Sequence, residues 1–475
     1  MIRLTLPAPL RQHAFYALGI VVMKGVSFFM LPFVARHLSP DEFGRLEILT
    51  SLGAVGGIVV GFGLLNALFR FAGMAGTEAD RHQIVAESFG LNLVIGATAL
   101  ACGLVLTDSI AQALPGGVAR HLVQATLVMV ALEACIAIPL GWLRMEERAG
   151  VFFALNSSKA IVQALLVVLF LRQGKGIDGV IEAGLIATLL LSAVLAWLQW
   201  RDTGIRFRIS GQWQMLRYSL PLVGSGLLGF ALTGLDRWVL ADAVGPGEMA
   251  SYAIAAKFAM LAALLLQPYL MWWSPRRFSV LQETNGTQRA ALYATTGSVL
   301  SLLIVVAVGL TAPLAVAWMF PPAYHDAMRY VPWLVLVMAI KDSAELLNLG
   351  CYTGKTTHAQ LLINLGGAIV GVCAMLALVP LWGAWGAVVA MALAQTLRLL
   401  LYVVISQRLL PLPYPTQGLA LMTLLTLAAL WAGGQIHDDL ARGLLAVPVI
   451  VLMTIAARRM RMLPWRPDRA GLTAA

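Results

Sequence analysis

The chain has 475 residues, 60% of them hydrophobic and only 12% charged, with a mean hydropathy of +0.82. That is far too apolar for a soluble enzyme of ordinary composition and sets a polytopic membrane protein as the class. The net charge of +10 does not point to nucleic acid, because the basic residues sit at the ends of apolar segments and no RNA- or DNA-binding motif accompanies them.

Crossing roughly 30 Å of hydrocarbon takes about 20 helical residues. Cutting at Pro, Gly and charge clusters predicts fourteen such helices, at 13–36, 44–70, 84–107, 119–143, 151–172, 180–200, 216–241, 248–273, 290–312, 329–352, 359–380, 384–407, 417–436 and 442–457. The first has a basic flank, Arg3 and Arg11, but a long apolar run and no small-residue cleavage site, so it is expected to be retained. With a cytoplasmic N-terminus, Arg70, Arg81, Arg144, Arg148, Arg201, Arg206, Arg208, Arg217, Arg276, Arg277, Arg458, Arg459 and Arg461 all fall on the inner face. The outer face holds only Arg36, Arg45, Arg120, Arg172, Lys175, Arg329 and Arg442, a bias that predicts both termini inside.

The expected fold is all-α: two pseudo-symmetric six-helix lobes followed by two further helices. Residues 1–200 form the first lobe, 201–215 a polar cytoplasmic linker, 216–408 the second lobe, and 409–475 the last two helices with a basic tail. The halves echo one another. Ser39-Pro40-Asp41-Glu42, after the first span, matches Gly245-Pro246-Gly247-Glu248, after the seventh, and in both a Pro and an acid are placed to start the next helix.

Catalytic spacings are absent: there is no G-x-S-x-G and no H-E-x-x-H, and the histidines fall at span ends or in loops. Gly350 to Thr356 faintly resembles a phosphate loop but has one residue too few between its glycines and follows a membrane helix, so it reads as a basic loop. The cysteines, Cys102, Cys135, Cys351 and Cys373, lie in apolar segments without ligand spacing and read as packing residues. Gly53, Gly57 and Gly61, and likewise Gly367 and Gly371, form small-xxx-small steps that let helices approach closely.

The sharper signal is charge inside spans, which costs about 2.5 to 3.5 kcal/mol per residue on insertion scales and by default faces a partner or a watery cavity. Lys24, Glu133, Lys159, Asp236, Arg237, Lys257, Lys341, Asp342, Glu345 and Arg398 are all so placed. They can be structural pairs, Asp236 with Lys257 for example. They can also line a polar cavity between lobes, in which Lys24, Arg237, Lys257 and Arg398 bind an anionic substrate and Asp236, Glu133, Asp342 and Glu345 are candidates for proton or sodium coupling. No metal or other cofactor is expected.

Three stretches carry a family resemblance: LDRWVLADAVGPGEMASYAIAAKF from Leu235 to Phe258, LPFVARHLSPDEFG from Leu31 to Gly44, and LVPLWGAWGAVVAMALAQ from Leu378 to Gln395. Together they resemble polysaccharide-export flippases of the multidrug, oligosaccharidyl-lipid and polysaccharide exporter superfamily, over about the first twelve spans. The resemblance implies a two-lobe alternating-access carrier in the bacterial inner membrane. Its implied cargo is an undecaprenyl-diphosphate-linked oligosaccharide for O-antigen, capsule or exopolysaccharide assembly, and its implied partners are membrane lipid and the polysaccharide polymerase and chain-length machinery. A cation-coupled multidrug exporter of the same superfamily is the first alternative, and its cavity should be acidic and aromatic. A polymerase or glycosyltransferase would need a large extramembrane domain, which no connection here can hold, and a non-catalytic secretion component is the remaining alternative.

Overall fold

The structure is a computed structural model that describes residues 25–208, 212–352 and 358–463. All regular elements among the described residues are helical. The chain divides into two compact units, one up to Glu248 and one from Met249 onward.

The first unit opens with α1, residues 25–37, followed by α2 (Pro40–Gly61) and α3 (Leu64–Gly73). The start of α2 explains the Ser-Pro-Asp-Glu motif. Ser39 Oγ accepts from the Glu42 amide at 3.3 Å, Glu42 Oε2 accepts from the Ser39 amide at 3.0 Å, and Pro40 occupies the first turn, where its missing N–H costs nothing. Then come α4 (Glu78–Val105), α5 (Thr107–Ala113), α6 (Arg120–Leu132), α7 (Ala137–Met145), α8 (Ala149–Arg172), α9 (Gly176–Asp202), α10 (Trp213–Thr233) and α11 (Asp236–Val244). The division falls after the seventh predicted span and not in the 201–215 linker, because α10 packs on α2 and α3 and carries Met215 into a core with Leu64, Phe89 and Trp142.

Gly245 lies at φ 87° and ψ 163°, a conformation essentially confined to glycine, and turns the chain into α12 (Pro246–Leu281), whose first residues still belong to the first unit. The two echoing hairpin motifs meet here. A side chain on Gly44 of α2 would run into the Pro246 carbonyl, and one on Gly247 would lie 2.9 Å from Asp41.

Three predicted spans are broken in the structure. The second is interrupted at Phe62 and Gly63, with φ of 46° and 66°, between α2 and α3. The fourth is interrupted between α6 and α7 by a 3-10 turn, Glu133–Cys135, and Asn92 of α4 donates to the Ala134 carbonyl at 3.0 Å. The seventh breaks between α10 and α11, where Ser51 of α2 donates to the Gly234 carbonyl at 2.9 Å. Broken backbone at membrane depth is tolerated only where protein or a cavity satisfies it, and both partners here are buried polar residues.

The second unit contains the rest of α12, α13 (Gly286–Met319), α14 (Ala327–Leu346), α15 (His358–Trp382), α16 (Ala384–Leu409), α17 (Thr416–Gln435) and α18 (Asp439–Arg459). Its centre is α13, packed on α14, α17 and α18, while α15 and α16 form a hairpin. Gly383, at φ 54° and ψ −133°, makes that tight turn in a region closed to other residues.

By length and hydropathy, twelve helices among the described residues can cross a membrane, the broken ones counted as single spans. The fourteen-helix expectation adds two more: α1, described from Gly25, and α14, which carries Lys341, Asp342 and Glu345. Arginines on the predicted inner face stack on aromatic rings within each unit: Arg70 on Tyr218 at 4.6 Å and Arg81 on Trp142 at 4.9 Å in the first, Arg277 on Tyr352 at 4.3 Å in the second. The close approach expected at Gly53, Gly57 and Gly61 falls instead at Gly56, which faces Val130 of α6. Of the four cysteines, Cys351 is buried, Cys135 half-buried, and Cys102 and Cys373 face outward, so only part of the set packs inside the protein.

Candidate functional site

The first unit carries a cluster of intramembrane charge at the break between α10 and α11. Asp236 opens α11, where a carboxylate complements the positive end of the helix dipole, and it is only 2% exposed. Arg237 follows it, with Nη1 3.4 Å from Asp236 Oδ1 and 3.3 Å from the Thr233 carbonyl, which the helix end leaves without an intrahelical partner. Its Nε lies 3.4 Å from Oε2 of Glu47 on α2, a carboxylate 4% exposed. Trp238 Nε1 donates to the Ile48 carbonyl at 3.4 Å, so α11 is tied to α2 at consecutive positions. Arg237 is thus flanked by two buried carboxylates.

Glu47 was not among the expected site residues. It lies three residues inside a predicted span whose edge is uncertain, and its partner is 190 residues away in sequence. Glu133 sits in the 3-10 break of the fourth span, with Lys159 of α8 4.0 Å away, so two of the intramembrane charges form one pair. Lys24 lies outside the described residues.

In the second unit, Lys257 is half-buried on α12. Asp342 on α14 is buried while Glu345 is exposed. Three helical residues advance about 300°, so the two are offset by about 60° on the helix and face different surroundings.

Arg398 is held differently from Arg237. It lies near the middle of α16, 8% exposed, and its stem occupies the space left by Gly367 of α15. Nε and Nη2 donate to Asn364 Oδ1 at 3.1 and 2.9 Å, and Nη1 donates to Gln395 Oε1 at 2.6 Å. Tyr402, 1% exposed, donates its hydroxyl to the same Asn364 oxygen at 3.0 Å. Every acceptor in this cage is neutral, and among the described residues no carboxylate pairs with Arg398. Asn364, Gln395 and Tyr402 carry no charge and give no anomaly in a hydropathy scan. The available signal was only that Asn364 and Arg398 flank the turn at Gly383, one on each helix of the hairpin.

Twelve apolar helices among the described residues, several of them broken and carrying buried charge, make this a multi-pass membrane protein, and its fold is that of solved flippase and multidrug exporter structures. The lipid II flippase MurJ, in an inward closed conformation, matches 94% of this chain and 99% of its own at a TM-score of 0.76 with 13% identity. An inward-facing multidrug resistance transporter of the MATE family matches 85% of this chain and 95% of its own at 0.59 with 15% identity. A sequence model of the polysaccharide biosynthesis protein family matches residues 33–329, and the chain belongs to that family. The succinoglycan biosynthesis transport protein ExoT of Rhizobium meliloti (strain 1021) is 25% identical over 241 residues, which cover 50% of this chain. The match spans 47% of that relative, about half its length.

Proposed function

We propose that the chain is a carrier that moves an undecaprenyl-diphosphate-linked oligosaccharide from the cytoplasmic to the outer leaflet of the inner membrane, for exopolysaccharide, capsule or O-antigen assembly. The observation that carries this reading is Arg398, a guanidinium buried near the middle of a span with only neutral acceptors around it. A membrane protein keeps such a charge at a cost, and a phosphate-bearing cargo is a ligand that uses it. Family membership and the likeness to a succinoglycan transport protein support the same cargo class.

Lys24, Lys257 and Arg398 are the proposed substrate contacts. Arg237, flanked by Glu47 and Asp236, is assigned chiefly to holding α11 against α2. Asp342 is buried on α14 and, unlike Asp236 and Glu133, makes no ion pair with a described residue, so it leads the coupling candidates ahead of Glu133, Asp236 and Glu345. The polysaccharide polymerase and chain-length machinery are the proposed partners downstream. The MATE-like fold favours a second reading, a cation-coupled multidrug exporter, and the buried carboxylates Glu47, Asp236 and Asp342 would suit its cationic cargo. The uncompensated Arg398 opposes it.

The test replaces Lys24, Lys257 and Arg398 singly with Gln and follows delivery of lipid-linked glycan to the outer leaflet. At least about a tenfold loss is expected for one or more, the effect of about 1.4 kcal/mol. Full delivery by all three, at normal protein levels, would contradict the proposal.

A further inference from the structure

A guanidinium has five N–H donors, and in Arg398 two go to Asn364 and one to Gln395, which leaves two. Asn364 Oδ1 takes three donors in all, the third from Tyr402, so this one oxygen fixes the guanidinium between α15 and α16. An aspartate at 364 would accept the same donors and form a neutral bidentate ion pair. Asparagine supplies the geometry and leaves the charge. At 1.5 Å per residue Arg398 lies about 21 Å from the start of α16 and about 16 Å from its end, too deep for the headgroup of a resident bilayer lipid. Asn364 is only half-buried, and Leu361 and Leu365 beside it on α15 are exposed, so the cage opens onto an apolar surface.

We infer that Asn364 is a specificity-determining residue: by holding Arg398 without neutralising it, it makes the α15–α16 hairpin a binding site for the phosphate oxyanion of a polyprenyl-phosphate lipid in transit. The two remaining N–H groups and the free charge face the oxyanion, and the leucine-lined surface receives the start of the isoprenoid chain. The identity of the lipid rests on the carrier reading given above. The oxyanion site does not.

The full-length protein in phosphatidylcholine nanodiscs is titrated with farnesyl diphosphate and with inorganic pyrophosphate, following the unfolding temperature. A parallel sample has phosphatidylglycerol added to the bilayer. Farnesyl diphosphate is expected to raise the unfolding temperature of the wild type. In Asn364→Asp the affinity falls at least about tenfold, while the ligand-free unfolding temperature stays at or above that of the wild type because every hydrogen bond of the cage has its acceptor. Arg398→Gln loses the response as well. A response in Asn364→Asp within roughly threefold of wild type overturns the inference, whatever glycan delivery does. Saturation by phosphatidylglycerol alone also overturns it, since the anion would then belong to a resident lipid. Lost binding with glycan delivery intact keeps the oxyanion site and rejects the cargo reading instead.

Discussion

Two arginines at membrane depth are treated in opposite ways. Arg237 lies beside a helix break with Glu47 and Asp236 on either side, and the charge is locked into a junction of helices. Arg398 lies in an unbroken helix among an asparagine, a glutamine and a tyrosine. A single class of residue in a hydropathy trace therefore covers two physical roles. The carboxylates make the first arginine a structural tie, and the neutral oxygens make the second an available cation.

The largest effect expected from this contrast is on stability. Arg237→Ala removes the guanidinium that lies beside the buried carboxylates Glu47 and Asp236, and breaking a buried pair in this way costs about 3 to 5 kcal/mol. Protein level in the membrane and unfolding temperature should both fall, and adding Glu47→Gln should restore part of the loss. Arg398→Gln should be much milder, since it leaves no carboxylate behind. Equal losses in the two single variants would erase the distinction between the sites.

A smaller effect is expected at the turn that aligns the Arg398 cage. Gly383→Ala forces a side chain into a backbone region open to glycine, at a cost of about 1 to 3 kcal/mol. Because that turn sets the register of Asn364 against Arg398, farnesyl diphosphate binding should weaken along with the unfolding temperature. A stability loss with unchanged binding would show that the cage does not depend on the hairpin.

Much of the fold was legible in sequence because long apolar runs and proline-led helix starts are local properties. Pro40 with Glu42, and Pro246 after Gly245, mark helix starts that the structure contains. The breaks at Gly63, Glu133 and Gly234 were not legible, since hydropathy averages over some 20 residues and a short interruption leaves the average nearly unchanged. The division after the seventh span was hidden for a related reason: it depends on what α10 packs against, whereas the polar 201–215 segment is only a change in composition. Of the candidate site, Asp236, Arg237 and Arg398 stood out as charges in apolar segments. Their partners did not, because Glu47 sits near a span edge and Asn364 is neutral.

The most direct test of the central claim is reconstitution of the purified chain in vesicles with a fluorescent polyprenyl-diphosphate-linked oligosaccharide placed in one leaflet. Wild-type protein is expected to bring the lipid to the opposite leaflet faster than protein-free vesicles do, and Asn364→Asp to lower that rate at least about tenfold. A wild-type rate no faster than that of protein-free vesicles, with the chain correctly folded, would contradict the central claim.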